Sequence, residues 1–285
     1  MIKLVIDMQN EFDSEIKYKL YRNVTEILHP TISKKNISNY KITIDEDIYP
    51  VRVFYPTKVS GIDKVIIYIH GDSKVTDCTG KYSSICKNIT SKADRLLIAI
   101  EYRESSKRYK EMYKEIYDTV KYLYRELERN GIEEDNICLI GDSTGASIIT
   151  AINYLNDKEI NIKKEILFYP VVTQDHTNYE SIKANEDFNI GLLDKIKEYY
   201  GYIASKRDLK DPLLNPINQE IKNNPKTLIM VGKVDSLKDE IEKYYEKIKN
   251  KNNKYVEIPF SSHGFLKDMD KELENEVFSE IKKFI

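Results

Sequence analysis

The sequence predicts an α/β fold built on a mostly parallel, doubly wound sheet, and three observations carry that prediction. From residue 65 to the C-terminus, short apolar runs that fit buried strands alternate with amphipathic helical stretches. Two segments of alternating polarity precede them, which places an antiparallel hairpin at the start of the sheet. The third is the stretch 136–151, NICLIGDSTGASIITA: an apolar run, a tight turn with glycine at both ends and Ser143 in the middle, then a helix.

Taken in order, residues 1–30 set Phe12, Ile16, Leu20, Tyr21, Val24 and Ile27 among charges, the pattern of an amphipathic helix. The hairpin follows at 40–45 and 50–56. Residues 65–69 are continuously apolar, as a strand covered on both faces requires, and end in His-Gly-Asp-Ser. A helix-compatible segment at 81–92 and a buried strand at 96–100 come next. Residues 107–130 form a long helix with Tyr113, Ile116, Val120, Leu123 and Leu127 on one stripe and Gly131 as its stop. The strand at 137–140 feeds the Ser143 turn and its helix. After a strand at 165–169, residues 173–218 break the β–α rhythm. They read as an insertion over the sheet with one good helix at 192–203. Strands at 227–231 and 255–258 flank a helix at 238–250, and a helix at 272–284 ends the chain. One domain spans 1–285, with a cap built from about 1–38 and about 173–218.

The 45 basic and 47 acidic residues nearly cancel, so no charge excess calls for nucleic acid or an acidic membrane surface. Three cysteines, Cys78, Cys86 and Cys138, lack metal-ligand spacing, and a reducing, cytoplasmic compartment is expected. The opening MIKLVIDMQNEF interrupts its apolar residues with acids and amides, unlike a signal peptide, and no run reaches the length of a membrane span. No His/Cys cluster and no phosphate-binding glycine loop is present, so neither metal nor organic cofactor is expected.

Functional groups of such a sheet collect at the carboxyl ends of its strands. Those ends carry His70, Gly71 and Asp72, then Ser143, then Gly232 and Asp235, then His263 and Gly264. A serine hydroxyl needs a base to become a nucleophile; an imidazole can take and return that proton, and a carboxylate behind the imidazole fixes its tautomer. Ser143, Asp235 and His263 supply the three in that chain order.

With GDSTGAS around Ser143, FYP at 168–170, DPLLNP at 211–216, VGKVDSLKDE around Asp235 and SSHGF around His263, the chain resembles the hormone-sensitive-lipase-like esterases of the α/β-hydrolase superfamily. The resemblance covers 65 to the C-terminus. It implies an α/β-hydrolase fold with an eight-stranded sheet and a small helical cap, and hydrolysis of small acyl esters through an acyl-enzyme. It also implies Ser143 as nucleophile, His263 as base, Asp235 as its partner, and Thr144 as one backbone donor of an oxyanion hole. His-Gly-Asp-Ser at 70–73 departs from the family's His-Gly-Gly-Gly. Gly71 and Asp72 are the expected further donors, although a carboxylate beside a developing oxyanion opposes it. His70 is expected to orient the oxyanion loop through its own hydrogen bonds; with Tyr169 and His176 it is also a candidate for the substrate pocket, and Asp211 is a rival to Asp235. Asp142 is expected to face away from the nucleophile, and Asp239 and Glu240 to favour the first turn of their helix. Two alternatives stand beside the esterase: an amide or aryl-formamide hydrolase on the same scaffold, and a silent hydrolase fold that binds acyl compounds. The chain is expected to be a monomer or a homodimer.

Overall fold

The computed structural model describes residues 37–44, 47–56, 63–71, 81–102, 106 and 108–285. The expected helix within 1–30, and with it the N-terminal part of the cap, lies outside them, as do Asp72 and Ser73. The sheet has eight strands in the order β1-β2-β4-β3-β5-β6-β7-β8. They are β1 (Ile37–Ile44), β2 (Asp47–Phe54), β3 (Val65–Ile69), β4 (Leu96–Ile100), β5 (Ile137–Asp142), β6 (Lys164–Phe168), β7 (Lys226–Gly232) and β8 (Lys254–Ile258). The hairpin pairs β1 with β2 antiparallel, β2 runs antiparallel to β4, and every later pairing is parallel. Each parallel step needs a crossover, and helices supply it.

The crossover helices are α1 (Lys81–Ala93), α2 (Tyr109–Arg129), α3 (Thr144–Leu155), α4 (Glu180–Ala184), α5 (Leu192–Ile203) and α6 (Lys238–Ile248), and α7 (Lys271–Phe284) follows the last strand. The central strands β3, β4 and β5 are buried along their whole length, as their unbroken apolar runs require. On α2, all five stripe residues are buried. The stop at Gly131 is a Schellman turn. With φ at +84°, its N–H donates to Glu128 O at 2.9 Å, and the Ile132 N–H donates to Leu127 O at 3.0 Å. Between β6 and β7 the rhythm breaks where expected: α4, α5 and the short 3-10 turns Asp208–Lys210, Pro212–Leu214 and Pro216–Asn218 fill the gap.

The parallel register brings one end of the sheet together. Ile69 lies opposite Gly141, Asp142 opposite Phe168, Phe168 opposite Met230, and Gly232 opposite Ile258. The segments that leave β3, β5, β6, β7 and β8 therefore emerge side by side.

Candidate active site

Strand β5 ends at Asp142 and α3 starts at Thr144, so Ser143 alone makes the reversal. It does so at φ 50° and ψ −121°, which L-residues avoid. Its N–H donates to Phe168 O at 2.9 Å and pins the turn to β6. Two glycines make room for it. A Cβ on Gly141 would sit 2.8 Å from Gly145 O, and one on Gly145 only 2.2 Å from Ile69 O, both against backbone.

Asp235 and His263 leave the neighbouring strands β7 and β8. Their segments touch closely at Gly232, where a Cβ would meet Ser261 O at 2.1 Å. The Val234 N–H donates to that same carbonyl at 3.0 Å. His263 Nδ1 then lies 3.0 Å from Asp235 Oδ2, and its Nε2 lies 3.0 Å from Ser143 Oγ. Asp235 is fully buried, and its other oxygen accepts the Leu237 N–H at 2.8 Å. A buried carboxylate against Nδ1 holds the ring proton there and leaves Nε2 as the acceptor facing the serine hydroxyl. Thr144 opens α3, where the first N–H groups have no partner inside the helix and meet the positive end of its dipole. Asp211 sits elsewhere: it accepts from the Tyr109 hydroxyl at 2.7 Å and pairs with Lys110 at 3.1 Å.

Gly71 requires a correction. Its N–H donates to Asp142 Oδ1 at 2.9 Å and is therefore committed to a carboxylate, not held for an oxyanion. The cause is burial of Asp142, which is 1% exposed and also accepts from the hydroxyls of Tyr68 at 2.6 Å and Tyr82 at 3.3 Å. A carboxyl group taken out of water must gather donors, and the loop after β3 supplies one. Asp142 does face away from the nucleophile, as expected, and in doing so it ties the nucleophile turn to that loop.

The three pocket candidates have all found packing partners, and for His70 this is the expected role of orienting the loop after β3. His70 is buried, stacks on Tyr102 at 4.5 Å between centroids, and places Nδ1 2.9 Å from Gly71 O, the setting of a loop support. Tyr169 has no exposed surface. Its ring lies 4.9 Å from the His263 ring and 5.0 Å from that of Phe265, so it packs beside the histidine. Its φ of +36° is a second strained point in the site. His176 is buried with Nδ1 2.9 Å from Oε2 of Glu240, a fully buried carboxylate. Burial pushes the Glu240 carboxyl up to about 7, against the opposing pull of the His176 bond. The helix-end reading of Glu240 missed this pairing, which joins residues far apart in the chain.

Residues of the 173–218 segment that the sequence left unmarked also reach the site. Asn189 Oδ1 accepts the His263 N–H at 3.0 Å, while its Nδ2 donates to Val234 O at 2.7 Å. Asn185 Nδ2 donates to Asp235 O at 3.1 Å, and Ser181 Oγ to Ser236 O at 2.8 Å. The only sequence signal for them is a cluster of small polar residues in a segment without periodicity.

Residues 66–267 match the family model of the alpha/beta hydrolase fold, and the chain belongs to that family. A protein of Acanthamoeba polyphaga mimivirus that carries the name alpha/beta hydrolase is 26% identical over 268 residues, 83% of this chain and 75% of that protein. The arylacetamide deacetylase of Oryctolagus cuniculus is 24% identical over 71% of the chain, which spans only 54% of that relative. The ethyl acetate hydrolase of Pseudomonas putida is 24% identical over 72% of the chain and 67% of its own length. Among solved structures, an arylesterase superposes with a TM-score of 0.74 at 18% identity, covering 92% of this chain and 89% of the other. That likeness speaks for the fold.

Proposed function

We propose that this chain is a serine esterase acting on carboxylic esters with a small acyl group. The observation that carries the reading is the pair of 3.0 Å contacts that runs from Ser143 Oγ through the His263 ring to Asp235. His263 Nε2 takes the serine proton as Oγ attacks the ester carbonyl, giving a tetrahedral oxyanion facing the Thr144 N–H. Collapse breaks the ester C–O bond, the alcohol leaves with the proton from His263, and an acyl-serine remains. Water, activated by the same imidazole, attacks the acyl-serine and releases the acid. With Gly71 N–H engaged by Asp142, further oxyanion donors would come from Asp72 or Ser73. Residues 173–218 would form the cap over the acyl and alcohol groups. The ethyl acetate hydrolase among the relatives supports a small acyl ester, and the arylacetamide deacetylase keeps aryl amides on the panel as the second reading.

The test is intact-mass analysis after exposure to a small fluorophosphonate, followed by turnover of aryl acetates, short alkyl acetates and aryl amides. One adduct on the parent is expected, absent from Ser143→Ala and slowed in His263→Ala, with esters turned over faster than amides. A folded parent that takes up no adduct would overturn the reading in favour of a binding role.

A further inference from the structure

The contacts between the 173–218 segment and the two turns that hold Asp235 and His263 carry an inference about a residue to which the chemistry itself assigns nothing. The two turns are already joined by backbone: Lys233 N–H donates to Ile258 O at 2.9 Å, and Val234 N–H to Ser261 O at 3.0 Å. Both bonds stop short of His263. The bond that reaches its backbone comes from outside, from Asn189, whose Oδ1 accepts the His263 N–H at 3.0 Å. The other end of the same amide donates to Val234 O at 2.7 Å, next to Asp235, and to Asn185 O at 2.8 Å. Asn185 returns a bond to Asp235 O, and the Ser236 hydroxyl donates to Asn185 O at 3.2 Å. One planar amide thus spans the histidine turn and the acid turn, and its own position is fixed at the backbone carbonyl of Asn185, whose side chain separately holds the acid turn.

We infer that Asn189 is a positioning residue for the His263–Asp235 pair, and that the cap segment sets the alignment of the base as well as covering the site. The inference rests on the esterase reading. The physical argument is one of leverage. The imidazole bridges two partners, each 3.0 Å away, and hangs from a backbone whose N–H is held by one side chain. Removing that side chain leaves His263 N–H and Val234 O to partly exposed surroundings, where water can replace the bond, so the fold survives. Water imposes no fixed distance, however, and the ring is free to drift from one partner or both. A drift near 1 Å is enough to cost about a hundredfold in rate.

The experiment compares parent, Asn189→Ala and Asn185→Ala. Asn185 holds the acid turn without touching His263, so Asn185→Ala controls for general loosening of the segment. Three readouts are taken: the urea midpoint, kcat and KM on an aryl acetate, and the downfield proton resonance of the His263 Nδ1–H bonded to Asp235. For Asn189→Ala the expectation is a urea midpoint near that of the parent, KM within about threefold, kcat lower by roughly tenfold to a hundredfold, and a resonance broadened or lost. Asn185→Ala should retain the resonance and most of kcat. Parent-like kcat and resonance in Asn189→Ala would overturn the inference, as would equal losses in both variants. If Asn189→Ala fails to fold, Asn189→Gln, which keeps both polar atoms one methylene further out, carries the same comparison. An inactive parent that still shows the resonance would count against the esterase reading alone, and the resonance in the variants would still decide the role of Asn189.

Discussion

At the opposite end of the sheet from the site, Glu165 offers a sharp test of the core. Its carboxylate is buried on β6 beside β7, accepting from Asn153 Nδ2 at 2.6 Å and from Thr227 Oγ1 at 2.9 Å. Burial pushes it from an ordinary 4.5 up to about 7, with the two hydrogen bonds pulling the other way. As pH rises above 4.5 the unfolded chain releases this proton before the folded one does, so stability falls until the folded group ionises near 7. The gap between the two values corresponds to about 3.4 kcal/mol once pH is well above 7. By the same relation the penalty is about 1.4 kcal/mol at about pH 5.5 and about 3.4 kcal/mol at about pH 8.5. Glu165→Gln removes the charge and keeps an acceptor oxygen. Its amide can donate to the Thr227 hydroxyl, which itself has Pro225 O to donate to. Any fixed difference between Gln and protonated Glu cancels when two pH values are compared. Urea unfolding of parent and variant should therefore show the variant gaining about 2 kcal/mol relative to the parent between those two pH values. A stability difference that stays constant with pH would refute the reasoning.

Three further outcomes are expected. Gly145→Ala places a Cβ 2.2 Å from Ile69 O and 2.5 Å from His70 O, both backbone, and should cost about 3 kcal/mol or more by urea unfolding and slow fluorophosphonate labelling; a parent-like urea midpoint would be inconsistent with that packing. Asp142→Asn faces three converging donors with one acceptor oxygen and an NH₂ group, so thermal unfolding should report a loss of about 2–3 kcal/mol. Gly131→Ala meets no atom within 4 Å but must hold φ at +84°, so a loss of about 1–2 kcal/mol with unchanged turnover is expected, and no loss would show that the Schellman turn can relax.

The central strands were legible because burial on both faces writes a continuous apolar run. β3 and β4 fall on the residues expected, and α5 does too because its stripe is sharp. β1 and β2 each begin three residues before the expected start, since pairing between their backbones continues where the alternation of side chains fades. The three residues proposed for the chemistry could be named because each follows a strand end and their order is informative. The supports around them could not. Asp142, Glu240 and Asn189 act through partners tens of residues away, and a lone acid or amide carries no period or spacing from which a partner can be read. The rings of Tyr169 and His176 were ambiguous for a related reason: an aromatic or imidazole ring near a site can face a ligand or fill a gap, and only packing separates the two.

The bridging amide at Asn189 also bears on engineering. Cap exchange is an attractive way to change what an enzyme of this shape accepts, because the segment between β6 and β7 can be cut at both ends without touching the sheet. In this chain such a graft would carry off the acceptor of the His263 N–H along with the segment it replaces. On the positioning role proposed for Asn189, exchanging the cap would change turnover together with selectivity. A chimera that keeps residues 181–189 and replaces only residues 190–218 would separate them.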